Sequence, residues 1–366
     1  MSPAGFTPDY RVRLSAVSAP DGLRGRQRSS RRCADSHCSQ QLSAKFFQLR
    51  PIRTPARHRL SMSSMTLRTR ILQSPARWAV GRLALRAASV VNRRHYLPLE
   101  YPPSTHNEPR GRNRWLAERI SAAEADFYES IRTILRYRDD LSGIKATTGA
   151  VGDARWLNGT MPGLDCAALY AFIRDRRPSL YLEIGSGNST KFAAQAVRDG
   201  DLGTSIISID PLPRTEIDGL CDEVMRSPLE TVDLEIFERL RQGDIVFFDG
   251  SHRAFVSSDV TVFFLDILPA LCDGVLVGIH DIYLPDDYPG DEAVTGRYWN
   301  EQYLLATYIL GGANRLRLTL PAAYVSRTPE LAGELMSLWT RLPHGVEPYG
   351  CAFWFEVRSA GALGGL

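Results

Sequence analysis

Two short stretches of the 366-residue chain set a carboxylate beside an imidazole, Asp249-Gly250-Ser251-His252 and His280-Asp281. An imidazole titrates near neutrality and can take or give a proton during a reaction, while a carboxylate can orient it or hold a cation. A third stretch, Glu183-Ile184-Gly185-Ser186-Gly187-Asn188-Ser189-Thr190, has the composition of a loop that brings backbone close to a ligand. Gly185 and Gly187 permit a sharp turn, and Asn188 or Ser189 can cap a helix that follows. Asp210-Pro211 lies 25 residues beyond Gly185. Each stretch ends an apolar run, so the elements carrying those runs decide what the groups can do together.

The runs Leu180–Ile184, Ser205–Ile209, Asp244–Phe248 and Gly274–Ile279 are nearly continuous in apolar and β-branched residues, the pattern of strands buried on both faces. Helical stretches at Ser189–Val197, Asp233–Leu240 and Val262–Leu271 alternate with them, and a weaker strand fits at Glu223–Arg226. This alternation predicts an α/β fold with a doubly wound, Rossmann-like sheet. Beyond it the chain reads as a helix at Asn300–Leu310, a strand at Arg315–Leu320, a helix at Glu330–Thr340 and a last strand at Cys351–Val357. Upstream, Leu116, Ile120, Ala123, Phe127, Ile131, Ile134 and Leu135 share one helical face, and a second helix is expected at Asp165–Arg176, stopping before Pro178.

Ligands of an open α/β sheet bind beyond the carboxyl ends of its strands, where all of these groups fall. A dinucleotide loop wants a third glycine where Thr190 stands, and the Glu183 carboxylate at the loop would repel a pyrophosphate but tolerate positive charge. Both disfavour a nicotinamide-dependent oxidoreductase, the alternative enzyme reading. A carboxylate at Asp210 can accept the two hydroxyls of a ribose. Adenosine joined to a cationic group describes S-adenosylmethionine.

The order of these motifs resembles the class I S-adenosylmethionine-dependent methyltransferases. More narrowly it is similar to a bacterial branch with D-x-S-H, S-D-V, H-D-I-x-L-P-x-x-Y-P and W-N-E-Q-Y-L-L stretches, found here at Asp249–His252, Ser258–Val260, His280–Pro289 and Trp299–Leu305. The resemblance covers residues 110 to 358 and implies seven strands with the last antiparallel. It also implies a cofactor site made by Glu183, Gly185, Ser186, Gly187, Asn188, Ser189, Thr190, Asp210, Asp249, Gly250 and Ser251. In such a sheet Asp249 and Asp281 end neighbouring strands, and two carboxylates there suit a hard divalent ion such as Mg²⁺. The arrangement is similar to metal-dependent O-methyltransferases of the catechol and macrolide-sugar types, with His280 departing from their usual second oxygen ligand. His252 is then the expected base towards an acceptor hydroxyl, with Asp249 and His280 beside it. The breaker-rich Tyr283–Gly296 stretch is expected as a substrate lid. The polar start of the helix after it, with Glu301 and Gln302, would face the crevice. A domain that keeps the fold but only binds is the reading from another class.

Charge divides the chain. Residues 1–99 hold 19 Lys and Arg against 3 Asp and Glu, a balance of +16, whereas the remainder holds 25 against 38, a balance of −13. Residues 1–65 are expected as a disordered basic tail, with Met62 or Met65 as other possible starts, 66–110 as a basic linker, and 111–366 as the methyltransferase domain. A basic amphipathic stretch over 70–94 could touch a membrane surface weakly, but no apolar run is long enough to span one. An acidic catalytic half makes nucleic acid a poor partner and leaves a small-molecule or glycan acceptor. Six scattered cysteines fit no disulfide framework and favour a reducing, cytoplasmic setting.

Overall fold

The computed structural model describes residues 111–147, 149–289, 298–311 and 315–358. The expectations for the tail, the linker and the second half of the presumed lid lie outside the described residues.

Seven strands form one sheet in the order β3-β2-β1-β4-β5-β7-β6. They are β1 (Leu180–Ile184), β2 (Ser205–Ile209), β3 (Glu223–Met225), β4 (Ile245–Phe248), β5 (Leu276–Ile279), β6 (Leu316–Pro321) and β7 (Phe353–Val357). The first five run parallel, and β7 inserts antiparallel between β5 and β6. Every residue of β1, β4 and β5 is buried, as continuous apolar runs require when helices cover both faces. Order reverses between β1 and β4, which opens a crevice at their carboxyl ends.

The expected long N-terminal helix is two, α1 (Arg114–Ser121) and α2 (Glu124–Arg136), with a turn at Ala122 and Ala123 that preserves the apolar face: Leu116, Ile120, Phe127, Ile131 and Ile134 are all buried. A short α3 (Arg138–Ser142) follows, then α4 (Gly163–Arg176), which Arg177 closes in the left-handed conformation. The next helix, α5 (Asn188–Asp199), packs beside α4. The stretch expected as a helix at Asp233–Leu240 is a 3₁₀ segment, Leu234–Arg239. The next helix starts earlier than its apolar period suggests, as α6 (Asp259–Val262), and widens into a π turn at Phe263–Ile267 that buries both adjacent phenylalanines. Beyond it lie α7 (Glu301–Leu310) and α8 (Ala322–Arg327), the latter in a stretch to which the sequence reading assigns no element. The expected Glu330–Thr340 helix is split at Leu335 into α9 (Pro329–Glu334) and α10 (Met336–Trp339).

Close packing under the crevice depends on Gly278 of β5, where a Cβ would stand 2.6 Å from the Trp354 ring of β7. No helix among the described residues is long and apolar enough to cross a membrane. Cys166, Cys221, Cys272 and Cys351 are free thiols.

Candidate active site

β1 delivers the chain into the glycine loop. Gly185 has φ of +79°, and a Cβ there would lie 1.8 Å from the backbone oxygen of Asp249, so glycine alone lets the exits of β1 and β4 touch. At Gly187 a Cβ would meet nothing within 4 Å, and the residue borders open space. Beneath the loop, the fully buried Glu183 carboxylate accepts the Tyr181 hydroxyl at 2.9 Å and the hydroxyls of Thr190 and Ser189. Burial pushes its pKa up to about 7 against the opposing pull of those three donors. Thr190 in turn accepts the Gly187 N–H at 3.0 Å. Glu183 and Thr190 therefore fasten the loop from below and do not line the cavity above it, which corrects the expectation of a carboxylate facing a ligand. Nor do Asn188 and Ser189 cap α5. The Asn188 amide donates to Thr160 Oγ1 at 2.7 Å, tying the helix start to the loop before α4.

Asp210, at the end of β2, accepts the N–H groups of Ser186 at 2.7 Å and Leu212 at 2.7 Å. It holds the glycine loop and the following turn together while keeping lone pairs for a ligand. The cavity in front measures about 680 Å³ and is bordered by Gly185 to Ser189, Asp210, Asp249, Gly250, Ser251 and His280. Ile209, Pro211 and Leu229 give it an apolar wall, and Arg155, Lys191 and Arg214 bring cations. Asp259, in the first turn of α6, accepts the Ser251 N–H at 2.6 Å and its hydroxyl at 2.5 Å, fixing the turn after β4.

Asp249, His252, His280 and Asp281 do converge. His252 Nε2 lies 3.5 Å from Asp249 Oδ1 and 3.6 Å from Asp281 Oδ2, and His280 Nδ1 lies 3.7 Å from Asp249 Oδ1 and 3.6 Å from Asp281 Oδ1. Asp249 Oδ1 is buried, and among the described residues these two imidazoles are its ion-pair partners. Each histidine is backed by a buried carboxylate: Glu301 Oε1 sits 2.6 Å from His252 Nδ1, and Asp165 Oδ2 sits 3.3 Å from His280 Nε2. His252 also rests against the Trp299 ring, centroid to centroid 4.3 Å. His252 and Asp281 hold positive φ of 63° and 56°, a conformation that costs a non-glycine residue about 1–3 kcal/mol and clusters at functional sites.

Electrostatics follows this geometry. Burial works against a charged His252, but Glu301 beside it, helped by Asp249 and Asp281, outweighs burial and lifts its pKa to about 9. Burial likewise opposes a charged His280, yet the Cys351 sulfur and the Asp281, Asp249 and Asp165 carboxylates leave its pKa well above the ordinary value. Burial pushes Asp249 up, and the two imidazoles more than reverse it, holding that carboxyl below its usual range. Donor atoms of Asp249, His280 and Asp281 lie within 4.8 Å of one another, a set able to hold a cation. One donor is an imidazole, so the all-oxygen shell expected for Mg²⁺ is not what this cluster offers. Asp165, His280 and Cys351 form a second, deeper group, in which the Asp165 carboxylate already accepts the N–H groups of Cys351 at 2.8 Å and Ala352 at 3.0 Å.

The segment Leu157–Met161 borders the large cavity on one side and a smaller one, about 430 Å³, on the other. Asp281, Tyr283, Glu347, Tyr349 and Cys351 line the smaller cavity. The described part of the presumed lid is pinned down instead of free to swing: Asp286 pairs with Arg112 at 3.2 Å and Arg327 at 2.9 Å, and Leu284 and Tyr288 are buried. Sequence reasoning passed over Asp165, Lys191, Cys351 and the Asp153–Met161 loop. Only Asn158 of that loop carries a local signal, an amide that accepts the Thr160 and Met161 N–H groups in a tight turn.

Residues 182–282 match a family model described as a methyltransferase domain. A search of curated proteins finds no match. Among solved structures the chain is similar to a Podospora anserina methyltransferase bound to S-adenosylhomocysteine, 17% identical over 72% of this chain and 100% of that one, TM-score 0.34. It is similar to a Bacillus cereus O-methyltransferase in complex with the same compound, 14% identical over 63% and 91%, TM-score 0.33. A Streptomyces achromogenes O-methyltransferase of tomaymycin synthesis in complex with S-adenosylmethionine is 14% identical over 67% and 98%, TM-score 0.31. The matched segment runs from β1 to just past β5 and contains the glycine loop, Asp210 and the histidine–carboxylate cluster.

Proposed function

We propose that the chain moves the methyl group of S-adenosylmethionine to a hydroxyl of a small molecule or glycan, with His252 as the proton acceptor. The observation that carries this reading is the meeting, at neighbouring strand ends, of the Asp210-braced glycine loop with two imidazoles that buried carboxylates hold in place. Asp210 suits a ribose diol, the Ile209–Leu229 wall an adenine face, and Arg155, Lys191 or Arg214 a carboxylate. When bound, S-adenosylmethionine supplies a methyl on positive sulfur, open to in-line displacement by an oxygen nucleophile.

The chain's own residues align that oxygen and take its proton. The Glu301 carboxylate fixes the His252 ring through Nδ1 and stabilises the imidazolium, leaving Nε2 aimed at the cluster. Because its pKa is lifted to about 9, His252 accepts the proton only from its neutral fraction, so transfer should rise with pH towards about 9, where a base so placed contributes about 10²–10⁴-fold. Asp249, His280 and Asp281 would hold a divalent cation once His280 has lost the proton its neighbours favour, and such an ion would acidify a bound hydroxyl; the buried Asp249 Oδ1, between the two imidazoles, fits that use. The test is methyl-labelled S-adenosylmethionine incubated with a small-molecule extract. The native chain should transfer label to product and the H252A variant should transfer at least ~100-fold less while still binding S-adenosylhomocysteine. Equal labelling by both, or none by the native chain, refutes the assignment.

A further inference from the structure

We infer that the acceptor occupies the smaller cavity, and that this cavity selects a neutral, hydroxyl-rich molecule such as a sugar or polyol while rejecting anions; the inference rests on the methyl-transfer reading above. Position comes first. The two cavities share the Leu157–Met161 wall, and the reactive cluster straddles it: Asp249 and His280 border the larger cavity, whereas Asp281 borders the smaller. The Asp281 carboxylate reaches both imidazoles, at 3.6 Å from His252 Nε2 and 3.6 Å from His280 Nδ1. A hydroxyl donating to Asp281 from the smaller cavity thus stands at the same cluster that Asp249 and His280 present to the larger one, the donor atoms of all three lying within 4.8 Å of one another, and meets the methyl there and not through the wall.

Lining chemistry then sets the class. The cavity presents the carboxylates of Asp281 and Glu347, the phenols of Tyr283 and Tyr349, the Asn158 amide and the Thr160 hydroxyl, and among the described residues no Lys, Arg or His borders it. An anion would lose water there and meet two carboxylates, while the cations just behind the lining, the imidazoles against Asp281 and the Arg327 guanidinium over the Tyr283 ring, are already held by Asp281 and Asp286. A polyhydroxylated ring instead finds acceptors for its hydroxyl protons and aromatic faces for its C–H edges. Tyr349 is 45% exposed at the rim and bonds to Glu347, so the one residue offers a platform and the other an acceptor at the entrance. The larger cavity is the contrast: there Arg155, Lys191 and Arg214 are present. A volume of about 430 Å³ is in the range of small-molecule sites, roughly 300–1,000 Å³.

The experiment uses the full chain saturated with S-adenosylhomocysteine, whose own binding heat is recorded first. Saturation-transfer NMR then compares neutral monosaccharides (glucose, galactose, mannose, rhamnose) with glucuronate, galacturonate and glucose 6-phosphate. Expected is binding of at least one neutral sugar, with the acids and the phosphate at least ~10-fold weaker, a gap of about 1.4 kcal/mol. Reversing the rim charge with E347K should close that gap by strengthening the acids about tenfold. Acids that bind as well as neutral sugars, an unchanged ranking in E347K, or no sugar bound by the loaded protein each overturn this inference while leaving the nucleoside reading intact. Failure of S-adenosylhomocysteine itself to bind overturns the reading beneath it.

Discussion

Replacing Glu301 with Gln tests the dyad that makes His252 a base. The substitution keeps the shape of a side chain that is fully buried 2.6 Å from Nδ1 and removes its charge. In the native chain burial depresses the His252 pKa, but the Glu301 carboxylate leads the charges that lift it to about 9. With that carboxylate gone, burial faces only Asp249 and Asp281, and the pKa should fall to the ordinary 6.5 or below, a change of at least about 2 units or ~3 kcal/mol. The sign for stability follows. A histidine whose folded pKa exceeds its unfolded one adds stability that is complete below pH 6.5 and is lost as pH rises through about 9. The advantage over E301Q that this proton gives the native chain is therefore complete below pH 6.5, shrinks between pH 6.5 and 9 and is gone above 9; burial also lifts the Glu301 carboxyl to about 7, which offsets part of it once that carboxyl ionises. The assay is NMR titration of ring-labelled histidine, with the His252 signal identified by its loss in H252A, alongside urea unfolding at each pH. A native His252 titrating at its ordinary value, or an E301Q titration within half a unit of native, refutes the reasoning.

Changing Gly185 to Ala forces a Cβ 1.8 Å from the Asp249 oxygen at a φ of +79°, and should cost more than ~3 kcal/mol and abolish nucleoside binding, read by thermal melting and calorimetry. Glu183 titrates at about 7 when folded, above its unfolded value of 4.5, so its contribution is complete below pH 4.5 and is lost as pH rises through 7. The native chain should lose about 3 kcal/mol between pH 4.5 and 8 relative to E183Q in urea unfolding; a constant difference between the two would contradict the buried, raised carboxyl.

Much of the sheet is legible because strands buried on both faces leave an unbroken apolar trace: β1 and β2 fall at Leu180–Ile184 and Ser205–Ile209 as the composition indicates. That same trace conceals direction. In a strand buried on both faces Glu183 can point to either side, so its place under the loop needs three dimensions. α8 is hidden for a related reason, since Ala322–Val325 are all buried and continue the apolar run of β6. The four acid and imidazole groups declare themselves by following strands, and the structure brings them together. How they are supported does not: Glu301, expected only as facing the crevice, lies 49 residues from the His252 it backs, and Asp165 lies 115 residues from His280. No local period links such pairs, and the Asp153–Met161 wall has no period at all.

The central claim is that the cavity over the glycine loop receives a sulfonium nucleoside. Its most direct test is calorimetric titration of the native chain and D210A with S-adenosylhomocysteine and, separately, NADH. Expected are heat with S-adenosylhomocysteine alone, near one site per chain, and a loss of about tenfold or more in affinity in D210A, where two braces of the loop and a ribose acceptor vanish. Heat with NADH and none with S-adenosylhomocysteine would contradict the account.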